Sequence, residues 1–475
     1  MKFKKILPFI AIIGMIAWAI SLQNQSDLWY MATLKKSLGL AVFIVCLFPS
    51  LQYAIALAYK ETKIDLIPFV PLVGLIYGFY FGLSVLFGEA LEIRNDVISE
   101  SYVVKSLWLS LFGWLALMLG FYLLGYVKKA NVLQLEWDPR RAKKMAFKLL
   151  IIGLFTQLIV GFSSIPGPLI QPVRLVSSFA EVGLGIYIIL ALRRYLRAEL
   201  RFVVWCVLVP MFGFMKLSSG STSGLLMYAV YIIMLIWGIR RKLPWLAISI
   251  LIPIAILARG NADEFRSLTW GDGEYANVSK IEKSLLLVDL LTNNLSENRI
   301  GTFKDSVDKV SGRVSQLGIF AHCVDLTPAS ISYWHGETYK TLPASIIPRV
   351  LWPNKPSKTL GQDFGHRYQI INDNDFNTSI NLPLLVEFYI NFGPVGVLMG
   401  MFLLGCIYRL LYLKVNVSGV GDGVLLIGAF IFKGLINIES DFSLTFGLIA
   451  QQVIILYFVL KTTRPRRHRQ VIGRK

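Results

Sequence analysis

The sequence predicts an all-helical, polytopic membrane protein, and three observations carry that reading. The 475-residue chain is 55% hydrophobic and only 16% charged, where soluble domains carry about a quarter charged residues. It contains about twelve apolar runs long enough to cross a bilayer. Lysine and arginine gather in alternate loops, the asymmetry that sets orientation in a membrane.

The runs fall at about 5–22, 37–59, 66–88, 103–127, 147–165, 174–192, 201–218, 221–239, 242–258, 382–408, 421–437 and 442–460. The first is long and lacks a small-x-small cleavage site, so it reads as a retained span rather than a leader. The pair across 201–239 is short, and Asn391-Phe392-Gly393-Pro394 predicts a kink in the tenth run. Basic residues mark one side: Lys2, Lys4 and Lys5; Lys128 to Lys148; Arg193, Arg194, Arg197 and Arg201; Arg240, Arg241 and Lys242; and the tail KTTRPRRHRQVIGRK. The segment 89–102, with Glu89, Glu92, Asp96 and Glu100, is acidic. With twelve alternating spans, both termini are expected in the cytoplasm.

Four regions follow: helices one to nine in 1–258, a large outer loop at 259–381, helices ten to twelve in 382–460, and a basic tail at 461–475. The outer loop is close to neutral, so the net charge of +19 belongs to the cytoplasmic loops; it argues for topology and anionic lipid rather than nucleic acid. Within the loop, Ile281, Leu285, Val288, Leu291 and Leu295 form a helical stripe, continued at Phe303, Val307, Val310, Val314, Leu317 and Phe320. From Asp325 onward the prolines, Pro343, Pro348, Pro353 and Pro356 among them, predict a stiff, irregular segment.

The sequence holds no GxxxxGK[ST] phosphate loop and no Rossmann glycine pattern, so a transferred group would arrive already activated. Asp373 and Asp375 form a lone DxD beside asparagines, which reads as a turn, and His322, His335 and His366 show no zinc spacing. No cofactor or metal is expected. Cys46, Cys206 and Cys406 lie in apolar runs and Cys323 in the loop, which gives no disulfide framework.

Ionisable groups inside spans are costly and usually functional. Glu181, Lys216, Glu387 and Lys433 fall at similar depth in the outer half of their runs, which suits either an outward-opening polar cavity or helix-locking ion pairs. Arg259, Arg266, Arg349, Lys355, His366 and Arg367 would surround such a cavity from the loop, and guanidinium forks match phosphate oxygens. Arg349, inside the proline-fixed IIPRVLWPNKP, is the leading candidate.

Over IIPRVLWPNKPSKTLGQDFGHRY and LPLLVEFYINFGPVGVLMGMFLLG the chain resembles the bacterial O-antigen and oligosaccharide-repeat-unit polymerases, the Wzy type. Pro348, Arg349, Trp352, Pro353, Lys355 and Pro356 match a PR-x-x-WP-x-KP segment; Glu387, Tyr389, Asn391, Phe392 and Gly393 match E-x-Y-x-N-F-G. Lys216, in MKLSSGSTSG, stands where an arginine is often found. The resemblance implies a GT-C-like inner-membrane glycosyltransferase that joins undecaprenyl diphosphate-linked oligosaccharides, with Arg349 and Glu387 catalytic and Lys216, Arg259, Arg266, Lys355, His366, Arg367 and Lys433 on diphosphate or glycan. A polysaccharide chain-length regulator would be its partner. A lipid-linked oligosaccharide flippase or an O-antigen ligase remains the alternative.

Overall fold

The protein is described by a computed structural model that places residues 28–464, apart from 60–65, 87–91, 94–95, 125–134, 163–171, 174, 218–221, 243–261, 270–272, 276–277, 279, 298–315, 348–351, 353, 356–358, 377 and 417–420. Its helices are α1 (Leu28–Ala58), α2 (Phe69–Phe81), α3 (Glu100–Leu123), α4 (Pro139–Phe162), α5 (Phe179–Leu192), α6 (Ala198–Lys216), α7 (Thr222–Arg240), α8 (Ala262–Thr269), α9 (Lys280–Glu297), α10 (Gln316–Leu326), α11 (Leu342–Ile346), α12 (Leu360–Arg367), α13 (Leu384–Val415), α14 (Asp422–Ile436) and α15 (Phe442–Lys461). Among the described residues the only strands are the two-residue β1 (Glu92–Ile93) and β2 (Asp96–Val97), paired antiparallel. Among the described residues six helices are long and apolar enough to cross a membrane: α1, α3, α6, α13, α15 and the stretch Leu175–Leu192 that contains α5.

Ten of the apolar runs coincide with helices, while 5–22 and 242–258 lie outside the described residues. The clearest boundary difference is at α1, which begins at Leu28 rather than near 37. Lys35, ahead of the predicted start, is buried and pairs with Glu100 at 2.8 Å. In the outer loop, α9 matches its stripe, Leu317 and Phe320 fall in α10, and Phe303, Val307, Val310 and Val314 lie outside the described residues. The segment after Asp325 is more helical than its prolines predict: residues 337–341 form a 3-10 turn and α11 and α12 follow. Pro343 sits in the first turn of α11, where a missing N–H costs nothing.

Polar contacts sort the helix ends into two sets. At one end, Asn416 exchanges hydrogen bonds with the backbone of Ile67 (2.7 and 2.8 Å), Arg193 pairs with Asp422 (2.8 Å), Trp237 donates to Tyr53 (2.7 Å), and Asp138 N–H donates to Thr463 (2.9 Å). At the other, Lys35 meets Glu100, Tyr80 meets Glu439, and Glu181 meets Lys216 and Lys433. Consecutive helices α1 to α7 and α13 to α15 alternate between these ends. Helices pack closely where side chains are absent: a Cβ on Gly120 would strike the Phe402 carbonyl and one on Gly405 the Leu117 carbonyl, which seats α13 against α3.

The expected kink in α13 is a full break. Gly393 has φ 66° and ψ −153°, a conformation that glycine alone adopts without strain. Phe388 packs against both Gly396 and Gly400, and Leu385 lies with Val397 and Met401 around Gly113. An unbroken helix would separate Phe388 from Gly400 by about 18 Å. The arm 384–392 therefore folds back along 394–415, with Gly393 at the turn.

Candidate functional site

The motif residues meet where residues 327–347 strap across the folded-back arm of α13 and the start of α15. The strap is tied down almost entirely through its backbone. Tyr389 Oη donates to the Thr327 carbonyl (2.9 Å) and Trp334 N–H to the Ile390 carbonyl (2.9 Å). Asn391 is fully buried; its Oδ1 accepts from Gly336 N–H (2.8 Å), and its Nδ2 donates to Thr338 Oγ1 (2.9 Å) and the Glu387 carbonyl (2.8 Å). Gly336 is left-handed (φ 87°) to bring its N–H round. Such a set of bonds makes the E-x-Y-x-N-F-G residues the docking platform of the loop.

Glu387 lies in this layer with no accessible surface. Its Oε2 accepts from Phe442 N–H at 2.7 Å, in the first turn of α15, where exposed N–H groups favour a carboxylate. Its Oε1 has no hydrogen-bond partner, and neither has the buried Tyr339 Oη. Burial, and after it the neighbouring Glu387 carboxylate, pushes the Tyr339 hydroxyl above its usual range, so it stays a donor. A buried carboxylate oxygen with no hydrogen-bond partner is open to a bound hydroxyl or water.

The four intramembrane charges are not pooled in one cavity. Glu181 takes both ammonium groups, Lys433 at 2.7 Å and Lys216 in a closer pair. Glu387 makes no ion pair among the described residues. The physical reason is reach: one carboxylate has two oxygens, and facing helices α6 and α14 present a lysine to each. Lys433 also sits over the rings of Tyr231 (5.5 Å) and Phe430 (5.6 Å).

The loop cations have separate fates. Arg349 and Arg259 lie outside the described residues, and so does the side chain of Arg266, on α8. Lys355 is buried and donates to the Ile347 carbonyl (2.9 Å). Arg367 stacks over Trp334 (4.6 Å) and donates to the Ser332 carbonyl (2.8 Å). His366 beside it has a buried Nε2 without a hydrogen-bond partner. The structure thus brings Glu387, Arg367 and Lys355 onto or beside one strap and keeps Lys216 and Lys433 in another cluster. No group of three metal-ligating side chains occurs among the described residues.

The profile of a protein family described as a domain of unknown function, DUF8712, matches residues 79–463. The chain belongs to that family. The match runs from α2 to the end of α15, so the DUF8712 fold includes both the strap and the broken helix. No curated protein and no solved structure matches the chain.

Two partners in the DUF8712 site were not singled out from sequence. Gln451 donates to the carbonyls of Ser345 (2.7 Å) and Ile346 (3.0 Å), and Asn391 was read only as part of a motif. A polar side chain inside the run 442–460 was the available signal for Gln451.

Proposed function

We propose that this protein is an oligosaccharide-repeat-unit polymerase. It would be a twelve-span, GT-C-like glycosyltransferase of the bacterial cytoplasmic membrane, joining undecaprenyl diphosphate-linked oligosaccharides on the outer face with both termini inside. The observation that carries the reading is the Glu387 carboxyl, buried with one oxygen unpartnered at the foot of the outer loop. The topology has independent support: Arg240 and Gly393 lie at opposite ends of the bundle, so the chain changes ends between them, and the apolar run 242–258 falls in that interval. Arg140, Arg141, Arg193, Arg194 and Arg240 share one end, which the positive-inside rule assigns to the cytoplasm.

In the reaction, an acceptor sugar hydroxyl attacks the anomeric carbon of the donor glycan. The carbon–oxygen bond to diphosphate breaks, and its electron pair leaves on the lipid diphosphate. Glu387 Oε1 takes the hydroxyl proton. Arg349 supplies positive charge to the leaving group, with Lys355 and Arg367 from the same loop region and Arg259, Arg266 and His366 around it. Lys216 and Lys433, held on Glu181, leave a net positive cluster below. Both substrates are confined by lipid tails to one leaflet, which helps orient them. No nucleotide or metal takes part, and a chain-length regulator would dock on the loop.

A gel of surface polysaccharide from a strain lacking the gene tests this, with complementation by wild type, Arg349→Ala or Glu387→Gln. The expected outcome is a ladder with wild type and single-repeat glycan with either variant. His366, with its unpartnered Nε2, favours a ligase as the second reading. Loss of attached glycan with long lipid-linked chains accumulating would establish that reading, and lipid-linked single units held on the inner face would indicate a flippase.

A further inference from the structure

Part of the loop predicted to lie outside the membrane descends alongside α15. The register is fixed at three levels. Ser443 Oγ donates to the Thr338 carbonyl (3.4 Å), Gly447 faces Ser345 so closely that a Cβ would strike its hydroxyl, and Gln451 binds the Ser345 and Ile346 carbonyls. From Ser443 to Gln451 α15 advances about 12 Å, and residues 338–346, in 3-10 and α turns, advance by about the same. α15 has 20 residues between its Asp441 cap and Lys461, a rise of about 30 Å, which matches the hydrocarbon thickness of a bilayer. Gln451 stands near its middle.

We infer that residues 337–347 form a re-entrant element whose tip, Ile346 and Ile347, contacts lipid acyl chains within the membrane. Irregular backbone survives at that depth only if its polar groups are satisfied by protein. Here they are. The last carbonyls of α11 are those a helix end leaves open: Gln451 takes Ser345 and Ile346, and Lys355 Nζ takes Ile347. The outer side of the tip is apolar and uncovered, with Ile346 38% and Ile347 39% exposed. Leu448, the residue after Gly447 on α15, is 47% exposed, which adds to the apolar surface. At the upper end the strap carries the exposed pair Glu337 and Lys340. Exposed charge lies above and exposed isoleucine below, where the Lys355 ammonium is buried against the Ile347 carbonyl, and that is the polarity of a segment dipping into a bilayer. The inference holds for either orientation of the protein and whatever reaction it performs.

The test uses the full chain in liposomes with a single added cysteine, Ile346→Cys, Ile347→Cys or, as the aqueous reference, Asn374→Cys at an exposed turn. Labelling of the native cysteines is measured on the parent protein and subtracted, and each variant is used if its size-exclusion profile matches the parent. Thiol addition needs the thiolate and water, so a charged maleimide is expected to label the two tip positions on the order of a hundredfold more slowly than Asn374→Cys. A lipid-soluble maleimide should label them, and a bimane placed there should be quenched by acyl-chain nitroxide lipids rather than by iodide. Labelling of both tip positions by the charged reagent at the Asn374→Cys rate would overturn the inference, because the strap would then lie in water. Resistance of both positions to both reagents would overturn it equally, since the tip would be covered by protein.

Discussion

Replacing Glu181 with glutamine removes the anion shared by Lys216 and Lys433. Two lysines on one carboxylate are unequal in their dependence on it. The Lys433 side chain is 20% exposed and that of Lys216 35%, so Lys216 can relax toward solvent and its pairing contributes under about 1 kcal/mol. Lys433 sits between aromatic rings, and stranding a largely buried ammonium costs about 3 kcal/mol or more. Glu181→Gln should therefore destabilise the protein by about 3–4 kcal/mol. In a chain of this size that lowers the unfolding midpoint in detergent by about 3–4 °C. The double variant Glu181→Leu with Lys433→Met should recover most of the loss, because an apolar pair of similar volume replaces an ion pair at little cost. Thermal unfolding followed by circular dichroism reads both. A Glu181→Gln midpoint equal to wild type would refute the reasoning, and so would a double variant less stable than the single one.

Asn391→Leu leaves the Gly336 N–H and Thr338 hydroxyl without their buried partner, at about 1–3 kcal/mol for each orphaned group; limited proteolysis should cut residues 327–347 faster than in wild type. Gly393→Ala places a side chain at φ 66°, with its Cβ 2.7 Å from Tyr333 Oη; about 1–2 kcal/mol of backbone strain should appear as a lower unfolding midpoint, whereas Gly213→Ala, where the nearest neighbour of the new Cβ is 3.6 Å away, should leave it unchanged. Gln451→Leu strips two strap carbonyls of their donor at membrane depth, and the strap should become open to protease while α15 keeps its helical circular dichroism.

The helices were legible because a bilayer imposes a long apolar run on each span, and nearly every run became a helix. What escaped was where charge sits inside such a run. Lys35 falls ahead of the apolar run, and the Glu100 that holds it in α1 lies 65 positions away. The sharing of Glu181 by two lysines depends on which faces of α5, α6 and α14 meet, and no single run encodes that. The strap was read as lying outside because its prolines and charges are those of a soluble loop. Its descent depends on Gly447 and Gln451 in a span a hundred residues later. Gly393-Pro394, by contrast, announced its break directly, since its cause is local backbone geometry.

The short helix α14 has an electrical consequence. Its 15 residues rise about 22 Å, less than the roughly 30 Å of hydrocarbon around it. The turn beyond it carries Asn437, Glu439, Ser440 and Asp441, all partly accessible, and Lys433 lies about one turn before it. The three charged groups around Glu181 sum to one positive charge, on which a membrane potential acts at about 2.3 kcal/mol per 100 mV for a full traverse. Any shift of Lys433 along the membrane normal is therefore coupled to the energy state of the cell.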